Sequence, residues 1–291
     1  MKILLLGANG QLGHDIQAAA AKTAGFDITP LTRSDLDLAD LAAIGPALRA
    51  MRFDALVNCA SYHKTDEVES NAPLATLINA HLVRDLATIC AEKRARLITF
   101  STDYVFGGQA KRAPLTEDDP PAPLNVYGAS KLHGESLAAA IAPDLVTVMR
   151  VSSLFGVAGA SGKGGNFVET MLRLAKQNGA LRVVNDQIMA PTATADIAEA
   201  LLRYLDRGAP SGVYHVAGTG HTSWHGFASR IVARAGLDVP VEPVPTSAFP
   251  TPAMRPPYSV LHTAKITAAL DWAMPAWEDA LDRYLTAKGY L

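Results

Sequence analysis

Apolar positions along the chain fall into two alternating kinds of run. Short, almost continuously apolar stretches stand at Lys2–Leu6, Phe26–Leu31, Ala55–Asn58, Arg96–Phe100, Leu145–Arg150, Leu181–Val184 and Gly212–Val216. That is the pattern of strands covered on both faces. Between them, apolar residues recur at helical spacing near Gln11–Lys22, Leu38–Met51, Ala72–Lys93, Val126–Ile141, Phe167–Asn178 and Ala195–Arg207. Strand–helix alternation of this kind predicts right-handed crossovers and an α/β fold built on a doubly wound parallel sheet.

The last 70 or so residues break the pattern. Seven prolines stand in the eighteen positions from Pro240 to Pro257, which rules out a regular helix and predicts an extended segment over a surface. Helical spacing resumes at Ala264–Leu270 and Trp277–Lys288. The expected organisation is a body formed by residues 1–152, with returns near 180–218. Residues 153–179 and 219–291 form a smaller, mostly helical cap.

Composition narrows the function classes. Of 291 residues, 49% are hydrophobic and 19% charged, with a formal net charge of −2. This is material for a packed core, and it lacks the basic stripe of a nucleic-acid binder. The apolar run Ile3–Leu6 ends at Gly7, too short for a signal peptide. No run approaches the ~20 apolar residues of a membrane span. With only Cys59 and Cys90, a disulfide scaffold is excluded and a reduced, cytoplasmic chain is expected.

Candidate chemistry begins at the first strand–helix turn, Gly7-Ala8-Asn9-Gly10-Gln11-Leu12-Gly13. Glycines there let the turn close, let backbone N–H groups approach a diphosphate and let helix pack on strand, with the helix N-terminus facing the phosphates. In that place the turn predicts a Rossmann dinucleotide site; a merely structural tight turn is the alternative. An acid normally ends the second strand to hold the adenosine ribose. Here the text is Leu31-Thr32-Arg33-Ser34-Asp35. Arg33 suits the 2′-phosphate of NADPH, against the alternative of a solvated arginine with NADH as cofactor. Asp37 and Leu38 border the adenine in this reading.

The second candidate is Tyr127-Gly128-Ala129-Ser130-Lys131. Tyr and Lys at i and i+4 share a helix face, where an ammonium can stabilise a phenolate, hold a ribose and lower the tyrosine pKa. Upstream, the strand Arg96–Phe100 runs into Ser101-Thr102-Asp103-Tyr104-Val105-Phe106. Catalytic groups belong at the carboxyl ends of such strands, and Thr102 can serve the same substrate oxygen as Tyr127.

These motifs carry a resemblance. The glycine turn, Ser101-Thr-Asp-Tyr-Val-Phe106 and Pro123-Leu-Asn-Val-Tyr-Gly-Ala-Ser-Lys-Leu-His-Gly-Glu135 resemble the dTDP-4-dehydrorhamnose reductase family of extended short-chain dehydrogenase/reductases. Asn58-Cys59-Ala60-Ser61-Tyr62, Asn185-Asp186-Gln187, Ala190-Pro191-Thr192 and Phe249-Pro250-Thr251-Pro252 with Arg255-Pro256 extend it over essentially the whole chain. The resemblance implies a catalytic triad of Thr102, Tyr127 and Lys131, and hydride transfer to the C4 ketone of a dTDP-linked 6-deoxysugar, giving dTDP-L-rhamnose. It implies that Gly10, Gln11 and Leu12 line the cofactor phosphates and that Ala60, Ser61 and Tyr62 lie along the cofactor. Thr102, Asp103, Ser153 and Gln187 meet the sugar, and Arg255 lies on the nucleotide side. A homodimer and a magnesium ion at its contact are left open; Asp15 stands at one acidic ligand position and the rest of that set is not found.

The chain also departs from the family. A tryptophan often follows the Arg-Thr-Ser that ends the fifth strand; here the text is Arg150-Val151-Ser152-Ser153. Loss of that aromatic wall puts the identity of the sugar in question, with Phe155, His63 and Met189 as side chains to fill the gap. The usual Ala-Tyr-Thr-Ala-Val-Asp is Ser61-Tyr62-His63-Lys64-Thr65-Asp66. Two rivals stay open: a reductase or epimerase of another nucleotide sugar, and a catalytically silent nucleotide-binding regulatory subunit. Retention of Thr102, Tyr127 and Lys131 favours the enzyme. Gly159–Gly165 lacks the spacing of a phosphate-binding Walker loop and reads as a mobile loop. His221 and His225 have no third ligand. Cys59 reads as a buried hydrophobe.

Overall fold

The computed structural model of the protein describes residues 1–159 and 165–291. Six parallel strands form the central sheet: β1 (Lys2–Leu6), β2 (Asp27–Leu31), β3 (Ala55–Asn58), β4 (Arg96–Thr102), β5 (Val146–Val151) and β6 (Gly212–His215). Their spatial order is β6-β5-β4-β3-β1-β2, the doubly wound α/β architecture expected from the alternation.

The unbroken apolar runs have a direct cause. Successive residues of a strand face opposite sides of the sheet, and both sides are covered. Ile3, Leu5, Val57, Ile98 and Met149 pack with Ile16, Ile197 and Leu201 from the helices Gln11–Ala20 and Thr194–Asp206. Leu4, Leu6, Leu56, Leu97 and Val148 pack with Ile44, Leu48, Leu86 and Ile89 from Leu41–Ala50 and Leu82–Lys93. The order reverses between β1 and β3, opening a crevice at the carboxyl ends of the strands.

A separate apolar cluster joins the helices Phe167–Asn178, Trp224–Arg234 and Trp277–Ala287 through Leu172, Phe227, Ile231, Trp277 and Leu281. Here the structure departs from the expected layout. Leu181–Val184 is a strand, but it pairs in parallel with Val241–Val244 of the proline-rich segment rather than returning to the central sheet. Leu181 and Val183 bury into this second cluster, which fixes where the strand must lie. Pro243 cannot donate to a ladder, and a two-stranded pair tolerates it. Short pairs at Ile188–Met189 with Thr222–Ser223 and Leu154–Phe155 with Thr192–Ala193 add small strands to this mostly helical part.

Among the described residues one helix, Ala72–Lys93, has the length and the mean hydropathy (1.2) to cross a membrane, against the expectation that no run would. Half of its apolar window is buried inside the protein, and Leu82, Leu86 and Ile89 belong to the core under the sheet. It also contains a π-helical turn at Leu77–His81.

Candidate active site

The glycine turn is shaped by its own backbone. Gly7 adopts φ +75°, and the Gly7 and Ala8 N–H groups donate to the Leu31 carbonyl at 3.0 and 3.2 Å, tying the turn to β2. A Cβ on Gly7 would meet the Ala60 nitrogen at 3.0 Å, and one on Gly13 would collide with the Gly7 carbonyl. The Gln17 amide donates to the Ala8 and Gly13 carbonyls at 2.8 and 3.0 Å. No side chain caps the helix that starts at Gln11, and Gln11 Oε1 is buried without a hydrogen-bond partner. An uncapped helix start in a glycine cradle, beside an unpartnered polar atom, fits the diphosphate of a dinucleotide.

At the end of β2, Arg33 is 85% exposed and lies 3.9 Å from Asp37. Asp35 is turned back on Thr32, whose N–H and hydroxyl donate to it at 2.8 and 2.7 Å. Those bonds hold the Asp35 carboxyl below the usual carboxylate range. Leu38 packs on the core under the sheet.

Beyond β3, the buried Asn58 accepts from the Ala60 N–H at 3.1 Å. Asn79, in the π-helical turn, accepts from the Tyr62 N–H at 2.9 Å and donates to the Tyr62 carbonyl at 3.1 Å and to Ser130 Oγ at 3.0 Å. Loop Ala60–Tyr62 is thereby fastened to the helix that carries Tyr127. Asn79 is not among the residues singled out by motif. Its signal was a polar residue inside the apolar run Leu77-Ile78-Asn79-Ala80.

That helix, Val126–Ile141, starts under strict control. Asn125 caps it by accepting from the Gly128 N–H at 2.8 Å, and its amide donates to the Met254 carbonyl at 2.8 Å. Glu69 accepts from the Val126 N–H at 2.8 Å. Gly128 packs so closely on the Tyr104 carbonyl that no side chain fits there, and the Tyr104 and Tyr127 rings meet edge-on at 5.8 Å. Thr102, the last residue of β4, donates to Asp103 Oδ1 at 3.1 Å and accepts from the Tyr104 N–H at 3.2 Å, close enough to Tyr127 for its hydroxyl to act on the phenol. The three catalytic candidates Thr102, Tyr127 and Lys131 therefore converge at one strand end.

Their electrostatics correct one expectation. Lys131 does not draw Tyr127 down: burial pushes the phenol up to about 12, Asp103 adds to the rise, and the Thr102 hydroxyl opposes it. Burial also pushes Lys131 down to about 8, against the pull of Glu135. At neutral pH the phenol is thus a protonated donor, the form that a reduction needs. Asp103 is buried and raised to about 6 by that burial, although Ser259, Ser152 and Thr102 donate to it at 2.5, 3.0 and 3.1 Å.

The remaining candidates lie as follows. Arg255 pairs with Asp66 at 2.7 Å, close enough to Tyr104 for both charges to act on its phenol. Ser153 holds a left-handed φ of +46°, and its carbonyl accepts from the Thr192 N–H at 3.2 Å. Gln187 is buried and donates to Thr246 Oγ1 at 2.9 Å, which makes it a brace for the proline-rich segment.

The family model described as the RmlD substrate binding domain matches residues 1–289. The chain belongs to this family. It is 38% identical to the dTDP-4-dehydrorhamnose reductase of Burkholderia thailandensis, with 97% of each chain covered. The crystal structure of a dTDP-4-dehydrorhamnose reductase from Clostridium acetobutylicum superposes with a TM-score of 0.91 at 36% identity, over 99% of this chain and 100% of that one. A dTDP-4-dehydrorhamnose reductase from Bacillus anthracis, in complex with NADP, gives a TM-score of 0.88 at 34% identity, over 98% and 99%. The resemblance read from the motifs is borne out.

Within this family frame, several other expectations meet the structure. Asp15 accepts from the Thr194 hydroxyl, and no group of three His, Cys, Asp or Glu able to hold a metal occurs among the described residues. His225 contacts the Val241 carbonyl at 3.0 Å and His221 is exposed. Burial pushes the Cys59 thiol up, away from reactivity. Phe155 and Met189 lie in the second apolar cluster, so neither is available to fill the gap at Ser153. Residues 160–164 of the glycine-rich stretch Gly159–Gly165 lie outside the described residues.

Proposed function

We propose that this protein reduces the C4 ketone of dTDP-4-dehydro-L-rhamnose to the alcohol of dTDP-L-rhamnose, with NADPH, in the cytoplasm. The observation that carries the reading is the convergence of Thr102, at the carboxyl end of β4, with the buried Tyr127 phenol on which it acts, and with Lys131 one turn along the same helix face. The names of the relatives and the NADP held by one of them support the substrate and the cofactor.

The nicotinamide, when bound, supplies a hydride for the ketone carbon. Gly7, Gly10, Gln11, Leu12 and Gly13 receive the diphosphate; Arg33 faces the 2′-phosphate, and Asp37 and Leu38 the adenine. Ala60, Ser61 and Tyr62 run along the cofactor, and Lys131 holds the ribose next to the nicotinamide. As the C4 oxygen gains charge it takes the phenolic proton of Tyr127, and Thr102 holds the same oxygen in place. The resulting phenolate lies next to the Lys131 ammonium. Arg255 serves the nucleotide. The decisive assay is NADPH oxidation against a panel of nucleotide-linked 4-keto sugars. Turnover with the dTDP-linked 6-deoxysugar supports the reading, and absence of turnover with all of them overturns it.

Ser153 favours a second reading on the sugar alone. A serine in place of a tryptophan removes about 150–250 Å² of aromatic contact, which suits a bulkier or more polar 4-keto sugar. Ser153→Trp is expected to shift kcat/KM toward dTDP-4-dehydro-L-rhamnose. Unchanged ratios across the panel would mean that Ser153 does not line the pocket.

A further inference from the structure

One turn beyond Lys131 along the Val126–Ile141 helix lies a buried ion pair that the proposed reaction does not use. Glu135 and Arg150 have side chains 6% and 5% exposed. The guanidinium donates from Nη2 to Oε2 at 2.6 Å and from Nε to both carboxylate oxygens at 3.1 and 3.2 Å. Ser101, the neighbour of Thr102 on β4, donates to Oε1. The guanidinium also lies over the Phe106 ring at 4.9 Å, with Nη1 3.5 Å from Nε2 of His215 on β6. Two strands and the catalytic helix thus meet at one carboxylate, and a third strand reaches its guanidinium partner. A buried ion pair adds little stability over apolar residues of the same volume, so its position asks for a different reason.

Helix periodicity supplies one: Glu135 follows Lys131 by four residues and Tyr127 by eight, on the same face. We propose that Glu135 is a positioning residue that sets the rotation of the catalytic helix against β4 and β5 and holds a fixed negative charge behind Lys131, keeping its ammonium charged in a buried site. The proposal rests on the roles given above to Tyr127 and Lys131. The groups facing this region are few. On the helix itself Glu135 raises the proton affinity of Lys131, while burial lowers it. From β4, Ser101 is neutral and the charge of Asp103 acts on Tyr127. From β5, Arg150 is compensated by Glu135 in direct contact. From β6, His215 stays neutral, pushed down to about 3 by burial and by Arg150. From the π-helical turn, Asn79 is uncharged.

The sign follows. With Glu135 neutralised, Lys131 loses its compensating charge and faces Arg150 unbalanced, so its proton leaves at lower pH. The test is the titration of the Lys131 amine in the cofactor-free protein, followed by NMR of isotope-labelled lysine and assigned with Lys131→Arg. Glu135→Gln keeps the shape and should lower the midpoint by about one pH unit or more. Glu135→Asp keeps the charge on a shorter arm and should hold the midpoint while kcat falls. If Glu135→Gln does not fold, the double variant Glu135→Leu with Arg150→Met removes both charges within an apolar volume, and its midpoint should fall too. The alkaline limb of the kcat profile should move with the midpoint. A midpoint that stays at the parent value in the charge-removing variants reduces the pair to scaffolding and overturns the proposal. Lys131→Met separates the underlying reading. If turnover survives that change while the midpoint still moves in Glu135→Gln, the catalytic role of Lys131 fails and the coupling stands.

Discussion

A phenol pushed up to about 12 by burial stays protonated at neutral pH, so Tyr127 can act there as a proton donor and not as a base. Tyr127→Phe keeps the ring and its edge-on contact with Tyr104 but removes the proton. It should lower kcat by about 10²-fold or more, the usual worth of a general acid, with cofactor affinity nearly unchanged. Turnover within a few-fold of the parent would take the tyrosine out of the mechanism. Arg33 poses a different question, because it stands 85% exposed with only a distant carboxylate beside it. If it meets a 2′-phosphate, Arg33→Ala should weaken NADPH by roughly tenfold or more and leave NADH untouched. Equal affinities for the two cofactors in the parent protein would return Arg33 to the solvent. Both residues stand out in the sequence as candidates, since each lies at a fixed offset from a strand end or on a helix face. The protonation state of Tyr127 was not: spacing reports the ammonium nearby, whereas the depth of burial depends on the whole fold.

At the scale of elements, legibility followed local against distant causes. Strands β1, β3 and β4 could be read because both of their faces are buried, which writes an unbroken apolar run into the sequence. Leu181–Val184 was legible as a strand but not as to its partner, since Val241–Val244 lies some sixty residues on, in a segment dominated by proline. The start of the catalytic helix depends on contacts of both kinds. The Asn125 cap is local, but its amide also reaches the Met254 carbonyl, 129 residues away. Asn125→Ala therefore loosens the helix start and the segment carrying Arg255 together. A cap alone is worth about 1 kcal/mol, and the loss here should exceed that, with a rise in KM for the nucleotide sugar as well as a fall in kcat. A stability loss within the ordinary cap range and an unchanged KM would show that the Met254 contact does not couple the two.

For the molecule as a whole, the junction that matters is Asp103. It gathers hydroxyls from the end of β4 (Thr102), from the residue after β5 (Ser152) and from the C-terminal segment (Ser259), so one carboxyl joins the sheet to the chain that returns past Arg255. Three donated hydrogen bonds favour the charged form, yet burial outweighs them and raises the group from an ordinary value of 3.8 to about 6. The native state therefore binds a proton here more tightly than the unfolded chain does. The associated stability is fully present below the unfolded value, near pH 4, and is lost as pH rises through about 6. Across that window the parent protein should lose on the order of 3 kcal/mol that a chain without the carboxyl does not lose. Asp103→Asn removes the titration while keeping the shape. Urea unfolding of parent and variant, from about pH 3 to about pH 7, isolates the effect because every other titrating group is common to both and cancels in the difference. The gap between them should move in favour of the variant as pH rises, most steeply at about pH 5, midway between the unfolded and folded values, and level off above about 6. A gap that does not change with pH would mean that Asp103 titrates as an ordinary carboxylate, and that the hydroxyl cage, rather than burial, governs the junction.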